Sequence, residues 1–161
     1  IFKYNNILML LAVIRLRSGI KAPREIKDTL MLLNLKYIHS CVLVENTKSI
    51  LGMLRKVKNY VCYGEIDKDV LTLLLKKRLK KIGDKKVELE DLKKYGINSF
   101  EELAEKLYNG EKKLKDFKEF KKVFRLHPPK GGFKKSKKLE YPEGILGYVG
   151  KEINEILKKM I

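Results

Sequence analysis

The chain has 161 residues, of which 44% are hydrophobic and 35% are charged, and its formal net charge is +17. This length suits one domain with elaborations, and the hydrophobic fraction excludes wholesale disorder. A folded chain with so many cations repels itself until it binds a polyanion. Nucleic acid is the favoured partner, since each neutralised phosphate releases counterions, and an anionic membrane is the competing one.

The longest apolar run near the start, Ile7 to Ile14, has less than half of the roughly 20 residues that a membrane-spanning helix needs. Its branched residues, followed by Ser18 and Gly19, predict a buried first strand instead. The opening letters IFKYNN do not supply the basic, apolar and small-residue parts of a secretory signal. We therefore expect an intracellular protein without a membrane partner.

A helix and a second strand follow. Pro23 suits the first turn of a helix, and Ile26, Leu30 and Leu33 recur at helical spacing. Residues 38–45, IHSCVLVE, have the branched composition of a strand. The chain thus begins as strand, helix, strand.

The same alternation continues to residue 66. Residues 46–60 predict a helix with its cap at Asn46 or Thr47, and residues 60–64, YVCYG, predict a third strand. The order is β-α-β-α-β, and the general rule for strands joined through helices would make neighbouring strands parallel.

Helical signals dominate the second half. Asp67 is expected to cap a helix that passes through Leu75 and carries KKRLKK at its far end. Ser99 and Glu102 form a capping-box pattern ahead of a short helix, and a last helix is expected through Leu157.

The positive charge lies in two windows. Residues 76–86 hold seven basic residues and one acid, net +6, and residues 111–138 hold twelve basic residues and three acids, net +9. Together they account for +15 of the +17, so the charge is concentrated and not spread over the surface. Within the second window, KDFKEFKK is open between a solvated helix face and an RNA contact.

The segment FRLHPPKGGFKKSKK, residues 124–138, favours an RNA-contacting loop. Two prolines exclude a helix, and two glycines free the backbone for a close approach. Arg125, His127 and Phe133 offer planes that can stack on bases while lysines meet phosphates.

The sequence contains no clear pattern of a catalytic site or a metal site. Cys41 and Cys62 lie in apolar runs and lack metal-ligand spacing, so we interpret them as core thiols. His39 is interpreted as a surface or core residue, and KGGFKKSKK does not match a phosphate-binding loop. The acids at 88–91 and 101–102 are expected to face solvent and to support helix caps. We expect no metal, no cofactor, no small-molecule substrate and no enzyme activity.

Residues 124–135, FRLHPPKGGFKK, closely resemble the signature loop of a large-subunit ribosomal protein family, called L-thirty in bacteria and archaea and L-seven in eukaryotes. Further blocks occur in the family's order: the Arg-x-Arg ending at 15–17, a TLxLLxL pattern at 29–35, GMLxxV at 52–57 and the closing GYVGKEINEILKKM at 147–160. The resemblance covers nearly the whole chain.

The resemblance implies an α+β fold whose β-α-β-α-β ferredoxin-like core, residues 1–66, has a three-stranded antiparallel sheet with two helices on one face. It also implies a mostly helical and loop extension at 67–161, packed on the core, of the archaeal or eukaryotic type. The chain shows no long basic amino-terminal tail, which favours archaea, and its start at Ile1 suggests that a few residues precede it.

The expected function is that of a cytoplasmic, structural constituent of the large ribosomal subunit. Its partners would be large-subunit RNA and neighbouring ribosomal proteins, with the small 5S RNA as a candidate neighbour. The expected RNA contacts are Arg15, Arg17, Lys21, Arg24, Lys76, Lys77, Arg78, Lys80, Lys81, Arg125, His127, Lys130, Gly131, Gly132, Phe133, Lys134, Lys135, Lys137 and Lys138.

Two alternatives stay open at this point: a basic RNA-processing or ribosome-maturation factor, and an archaeal DNA-binding protein. The first would need a cluster of acids for metal, and the second would bind duplex DNA as well as RNA. Because cations repel one another, we also expect residues 111–140 to be loosely ordered without RNA.

Overall fold

The computed structural model describes residues 10–161. The predicted strand residues 7–9 and the opening IFKYNN lie outside the described residues. The strands are β1 (Leu10–Arg15), β2 (Ser40–Glu45), β3 (Val61–Glu65), β4 (Val123–Arg125), β5 (Ser136–Glu140) and β6 (Gly144–Tyr148). The helices are α1 (Arg24–Leu32), α2 (Lys48–Lys56), α3 (Lys68–Arg78), α4 (Leu89–Lys93), α5 (Phe100–Tyr108) and α6 (Ile153–Met160), with short 3-10 turns at Leu114–Asp116 and Gly150–Glu152.

Strand β1 lies between β2 and β3 and is antiparallel to both. The antiparallel arrangement implied by the family resemblance is therefore confirmed, and the general expectation of parallel neighbours is wrong. The reason is that the chain returns to β2 at the end where β1 stops, since the backbone N–H of His39 donates to the carbonyl of Arg15 at 2.7 Å. Strands β2 and β3 run in the same direction, but β1 separates them.

Within residues 10–161 the sheet has six strands in the order β4-β2-β1-β3-β6-β5, so a separate three-stranded sheet for the core is not confirmed. Strand β4 pairs antiparallel with β2, and β6 and β5 continue the sheet beyond β3 in parallel. The extension was expected to be mostly helical and loop, yet it supplies half of the strands. The sequences of these three strands carry only weak strand signals, because β4 has three residues, β5 (SKKLE) is exposed throughout and β6 contains two glycines.

The two faces of β1 pack against different helices. Leu11 and Val13 point into a cluster with apolar residues of α1 and α2. Ala12 and Ile14 point the other way, into a larger cluster with residues of α3, α5 and α6. This alternation follows from the two-residue period of a strand, and it confirms that α1 and α2 cover one face.

The predicted caps have mixed outcomes. The Thr47 hydroxyl accepts the Ile50 N–H at 3.3 Å, which settles the choice between Asn46 and Thr47. Asp67 precedes α3 as expected, but its side chain makes no capping hydrogen bond. Its backbone N–H instead donates to the buried side chain of Asn154 at 2.8 Å, which ties α6 to the start of α3.

The interpretation of both cysteines as core thiols is confirmed. Cys41 and Cys62 are free and fully buried, on strands that flank Ile14. Burial raises the pKa of Cys41 to about 12, and it raises the pKa of Cys62 as well. Both thiols therefore stay protonated and unreactive at neutral pH.

Within residues 10–161 the structure contains no helix long and apolar enough to cross a membrane. The same residues contain no group of three His, Cys, Asp or Glu side chains that could hold a metal ion.

Candidate nucleic-acid interface

Both basic windows reach one end of the sheet, which we call the Arg15 end. Strands β1 and β4 finish there, because Arg15 pairs with Val61 at the start of β3 and Arg125 pairs with Ser40 at the start of β2. Strand β6 pairs parallel with β3, and β5 pairs parallel with β6, so both begin at the same end. Residues 126–135 therefore cross the Arg15 end from one side of the sheet to the other.

The loop after β4 is held by the end of α6. The backbone N–H groups of His127 and Lys130 donate to the carbonyls of Met160 and Lys159, at 3.0 and 3.1 Å. These bonds satisfy carbonyls that a helix end otherwise leaves unpaired. The loop is thus fixed while the side chains of His127 and Lys130 stay exposed.

Two adjacent glycines turn the loop outward. Gly131 and Gly132 have φ of +77° and +73°, in the left-handed region that side chains avoid, and a Cβ at either would meet open space. Phe133 behaves differently from the expected stacking platform, since its ring is half-buried against the core. Its plane is therefore mainly a packing surface.

Three exposed lysines follow the glycines: Lys134, Lys137 and Lys138. Lys135 lies among them but is occupied, because its ammonium group lies 3.7 Å from the Glu152 carboxylate and 4.6 Å from the centre of the Tyr141 ring. The structure therefore separates one internally paired cation from three that face solvent.

The cations of the first basic window, residues 76–86, likewise include some that are paired inside the protein and some that face solvent. The Arg78 guanidinium, at the end of α3, donates to the carbonyl of Ile161 at 3.4 Å, and Lys77 is exposed. The Lys76 ammonium group pairs with the carboxylate of Glu101.

Lys81 pairs with Asp91 at 2.7 Å, and only 8% of the Asp91 side chain is accessible. The expectation that the acids at 88–91 all face solvent is wrong for Asp91. Its carboxylate also accepts the Glu88 N–H at 3.0 Å, and hydrogen bonds from Lys81 and from that N–H hold its pKa below the usual range. Lys81 therefore has a partner inside the protein.

The arginines at the end of β1 have mainly structural partners. The Arg15 guanidinium donates to the carbonyls of Arg17, Leu35 and Lys36 at 3.0, 2.8 and 2.8 Å, and burial lowers its pKa. Arg17 donates to the Asn59 carbonyl at 3.3 Å and lies over the Tyr60 ring. Arg15 thus fixes the turn at residues 35–36.

Lys21 and Arg24 are exposed near the Arg15 end, at the start of α1. The Arg24 guanidinium lies 3.8 Å from the carboxylate of Asp28, and both groups are largely exposed to water. Such a pair is weak, so both cations remain able to meet a phosphate.

The two basic windows meet in a cleft of about 350 Å³ beside β4. We call it the basic cleft and define it by the side chains of Lys36, Tyr37, Lys80, Lys121, Lys122 and Arg125. Asp84, which also lines it, pairs with Lys121, and this pairing lowers the pKa of the carboxyl. The Tyr37 ring has Lys36 and Arg125 over it, at 5.4 and 5.7 Å from its centre.

The sequence patterns missed part of this cleft. Lys36 and Tyr37 lie outside both charge windows, and only the pairing of β4 with β2 brings them beside Arg125. Lys121 and Lys122 belong to KDFKEFKK, whose sequence fits both a solvated helix face and an RNA contact. Their place in the cleft favours the nucleic-acid interpretation for these two lysines.

Comparison with known proteins gives consistent results. The family model described as Ribosomal protein L30p/L7e matches residues 11–61. A protein of Archaeoglobus fulgidus named large ribosomal subunit protein uL30 is 45% identical over 150 residues, which are 92% of this chain and 98% of that protein. Proteins with the same name from Methanoculleus marisnigri and Methanococcus maripaludis are 44% and 43% identical, covering 92% and 95% of this chain and 98% and 100% of theirs.

Proposed function

The chain belongs to the ribosomal protein L30p/L7e family, and from that premise we propose that it is a structural constituent of the large ribosomal subunit that binds ribosomal RNA. The observation that carries the proposal is the meeting of both basic windows at the Arg15 end of the sheet. The partner there is RNA phosphate, because each neutralised phosphate releases counterions. The protein would accordingly reside in cytoplasmic ribosomes.

We divide the expected contact residues by their internal partners. Arg15, Lys76, Lys81 and Lys135 hold groups of the protein itself, so their role is to position the neighbouring backbone. Gly131 and Gly132 let the RNA backbone approach the loop, since no side chain occupies that space. The side chains proposed to meet RNA directly are Lys21, Arg24, Lys77, Lys80, Arg125, His127, Lys130, Lys134, Lys137 and Lys138. Arg17 and Arg78 belong with the positioning residues, because they donate to the carbonyls of Asn59 and Ile161.

The proposed mechanism is charge neutralisation by a pre-formed surface. The loop that carries His127 and Lys130 is hydrogen-bonded to α6, and Arg15 holds the turn at Lys36, so RNA meets groups whose backbone is already ordered. Less conformational entropy is then lost on binding. The protein would hold RNA segments in a fixed relation without any chemical turnover.

We further propose that residues 1–66 form a ferredoxin-like core and that residues 67–161 form an extension packed on it. The family model, which matches residues 11–61, supports the first part. The burial of residues from β1, α3 and α6 in one cluster supports the packing of the extension. The 5S RNA as a neighbour rests on the family resemblance alone.

Sucrose-gradient sedimentation of a native cell extract tests the function. We expect the chain to sediment with large subunits at low salt and to leave them only at high salt, because phosphate contacts weaken as salt rises. Recovery in the top fractions at low salt would overturn the proposal. In that case binding to duplex DNA and to RNA would be compared, to separate a DNA-binding protein from an RNA-maturation factor.

A further inference from the structure

Beside the basic cleft lies a second depression, of about 500 Å³, which we call the apolar groove and define by Ile20, Leu30, Met31, Tyr37 and Ile38. Lys36 and Tyr37 line both depressions and form the ridge between them. The groove leaves large apolar side chains in water, since Ile20 is 82% and Met31 is 65% exposed. Such a patch at the edge of a charged surface marks an interaction site.

We propose that the ridge and the apolar groove bind an unpaired RNA nucleotide, whose phosphates lie in the basic cleft and whose base packs on Tyr37 and the groove. This inference rests on the proposed function and names the form of RNA that the Arg15 end accepts. A cationic track beside an aromatic and apolar platform is the arrangement that binds single strands. A paired base would keep its faces inside the helix and leave the groove uncovered.

The charge around the groove selects a nucleic acid over a protein tail. Arg15, Lys27 and Lys36 lie at its rim, and none of the lining residues that the structure describes is acidic. A basic ribosomal protein tail would be repelled, whereas the backbone of an RNA strand would be attracted. The apolar floor then receives the part of a nucleotide that carries no charge.

The ridge is held in place before any ligand binds. The Arg15 guanidinium donates to the carbonyls of Leu35 and Lys36, and the Ser40 N–H donates to the Tyr37 carbonyl at 3.2 Å. Asn34 and His39, on either side, take the left-handed backbone conformation that makes the segment turn sharply. A fixed platform loses little entropy when a base stacks on it.

Fluorescence anisotropy with two labelled probes tests the inference: an oligoadenylate of about 12 nucleotides, within the range of single-strand site sizes, and an RNA duplex of equal length. The full chain should prefer the single strand at physiological ionic strength. Tyr37→Ala should weaken single-strand binding by roughly fivefold or more, because it removes a base-stacking surface. Tyr37→Phe should bind like the parent chain, since it keeps the ring.

A matched pair of variants on α1 separates the groove from general surface effects. Met31 lines the groove, whereas Leu32, its neighbour, is 74% exposed and does not line it. Met31→Ala should weaken oligoadenylate binding and Leu32→Ala should leave it unchanged. An abasic oligonucleotide should bind weakly and should not distinguish Tyr37→Ala from the parent chain, because it has no base to stack.

Equal affinity for duplex and single strand, or oligoadenylate binding unaffected by Tyr37→Ala and Met31→Ala, would overturn the inference while the chain still sediments with large subunits. If Met31→Ala released the chain from subunits without changing oligoadenylate affinity, the groove would face a protein, and the inference would again be wrong. Failure of the proposed function looks different, because the parent chain would then stay at the top of the gradient at low salt, whichever of the two probes it binds.

Discussion

The ammonium group of Lys81 lies 2.7 Å from the carboxylate of Asp91, a side chain that is almost completely buried. Lys80, the preceding residue, lines the basic cleft instead. Neighbouring lysines of one basic run therefore have different surroundings: one stabilises the fold and the other faces the proposed ligand.

We expect Lys81→Ala to lower the Tm clearly, because it removes the closer of the two cations that pair with the buried Asp91 carboxylate and leaves only Lys94, at 3.9 Å. Lys80→Ala should leave the Tm nearly unchanged and should weaken RNA binding, since it removes a cation from the cleft. Circular dichroism melting and anisotropy with the same RNA measure both effects. Equal losses of Tm in the two variants would contradict this division of roles.

The Tm should also fall at acid pH, because the Asp91 carboxylate becomes protonated there. Hydrogen bonds from Lys81 and from the Glu88 N–H hold the pKa of Asp91 below its ordinary value of 3.8. The ionised Asp91 carboxylate therefore stabilises the fold fully above its ordinary pKa, and this stabilisation is lost as the pH falls through the lower pKa of the folded state. In melts from pH 6 to about pH 2.5, Asp91→Asn should show a smaller acid loss of Tm than the parent chain. If the Tm of the two proteins fell equally with pH, the Asp91 carboxylate would not be a source of the acid loss of stability.

Strand β3 tolerates no side chain at Gly64. A Cβ there would lie 1.9 Å from the carbonyl oxygen of Gly150, in the turn that follows β6. Gly64→Ala should therefore force β3 and that turn apart and cost about 1–3 kcal/mol or more of unfolding free energy. Gly52→Ala is the matched control: a Cβ there meets open space in α2, so this variant should gain about 0.5–1 kcal/mol. Urea unfolding of both variants measures the difference.

The sequence predicted those features that local periodicity encodes. Alternating and helical patterns identified β1 to β3 and α1 to α3, and the family resemblance supplied the antiparallel pairing. The separation of Lys81 from Lys80 could not be predicted, because it depends on a carboxylate that only the tertiary fold brings near. Tyr37 was missed for the same reason, since β4 reaches it from a distant part of the chain.

The expectation of loose order at 111–140 now applies to its second part only. Leu114, Phe117, Phe120 and Phe124 are buried in the core, and the Lys121 N–H donates to the Lys80 carbonyl at 2.9 Å. Every residue of β5 is exposed. Amide hydrogen exchange on the free protein should therefore be slow at 117–126 and fast at 133–140, and added RNA should slow the second segment. Strong protection of 133–140 without RNA would show that packing alone orders it.

The exposed lysines at the start of β5 should account for part of the salt dependence of RNA binding. Lys134, Lys137 and Lys138 follow the loop that crosses the Arg15 end, and their side chains face solvent. If each meets one phosphate of a single strand, replacing all three by Ala should reduce the slope of log affinity against log salt by about 2, at about 0.7 per contact.

A second triple variant removes the same charge at the opposite end of the sheet. Lys48 follows β2, and the exposed Lys112 and Lys115 lie in a groove with Glu45 and Thr47. For this second triple variant, the slope of log affinity against log salt should match that of the parent chain, because net charge alone does not set the number of phosphate contacts. If the two triple variants lost slope equally, RNA would be responding to total charge, and the assignment of contacts to the Arg15 end would be wrong.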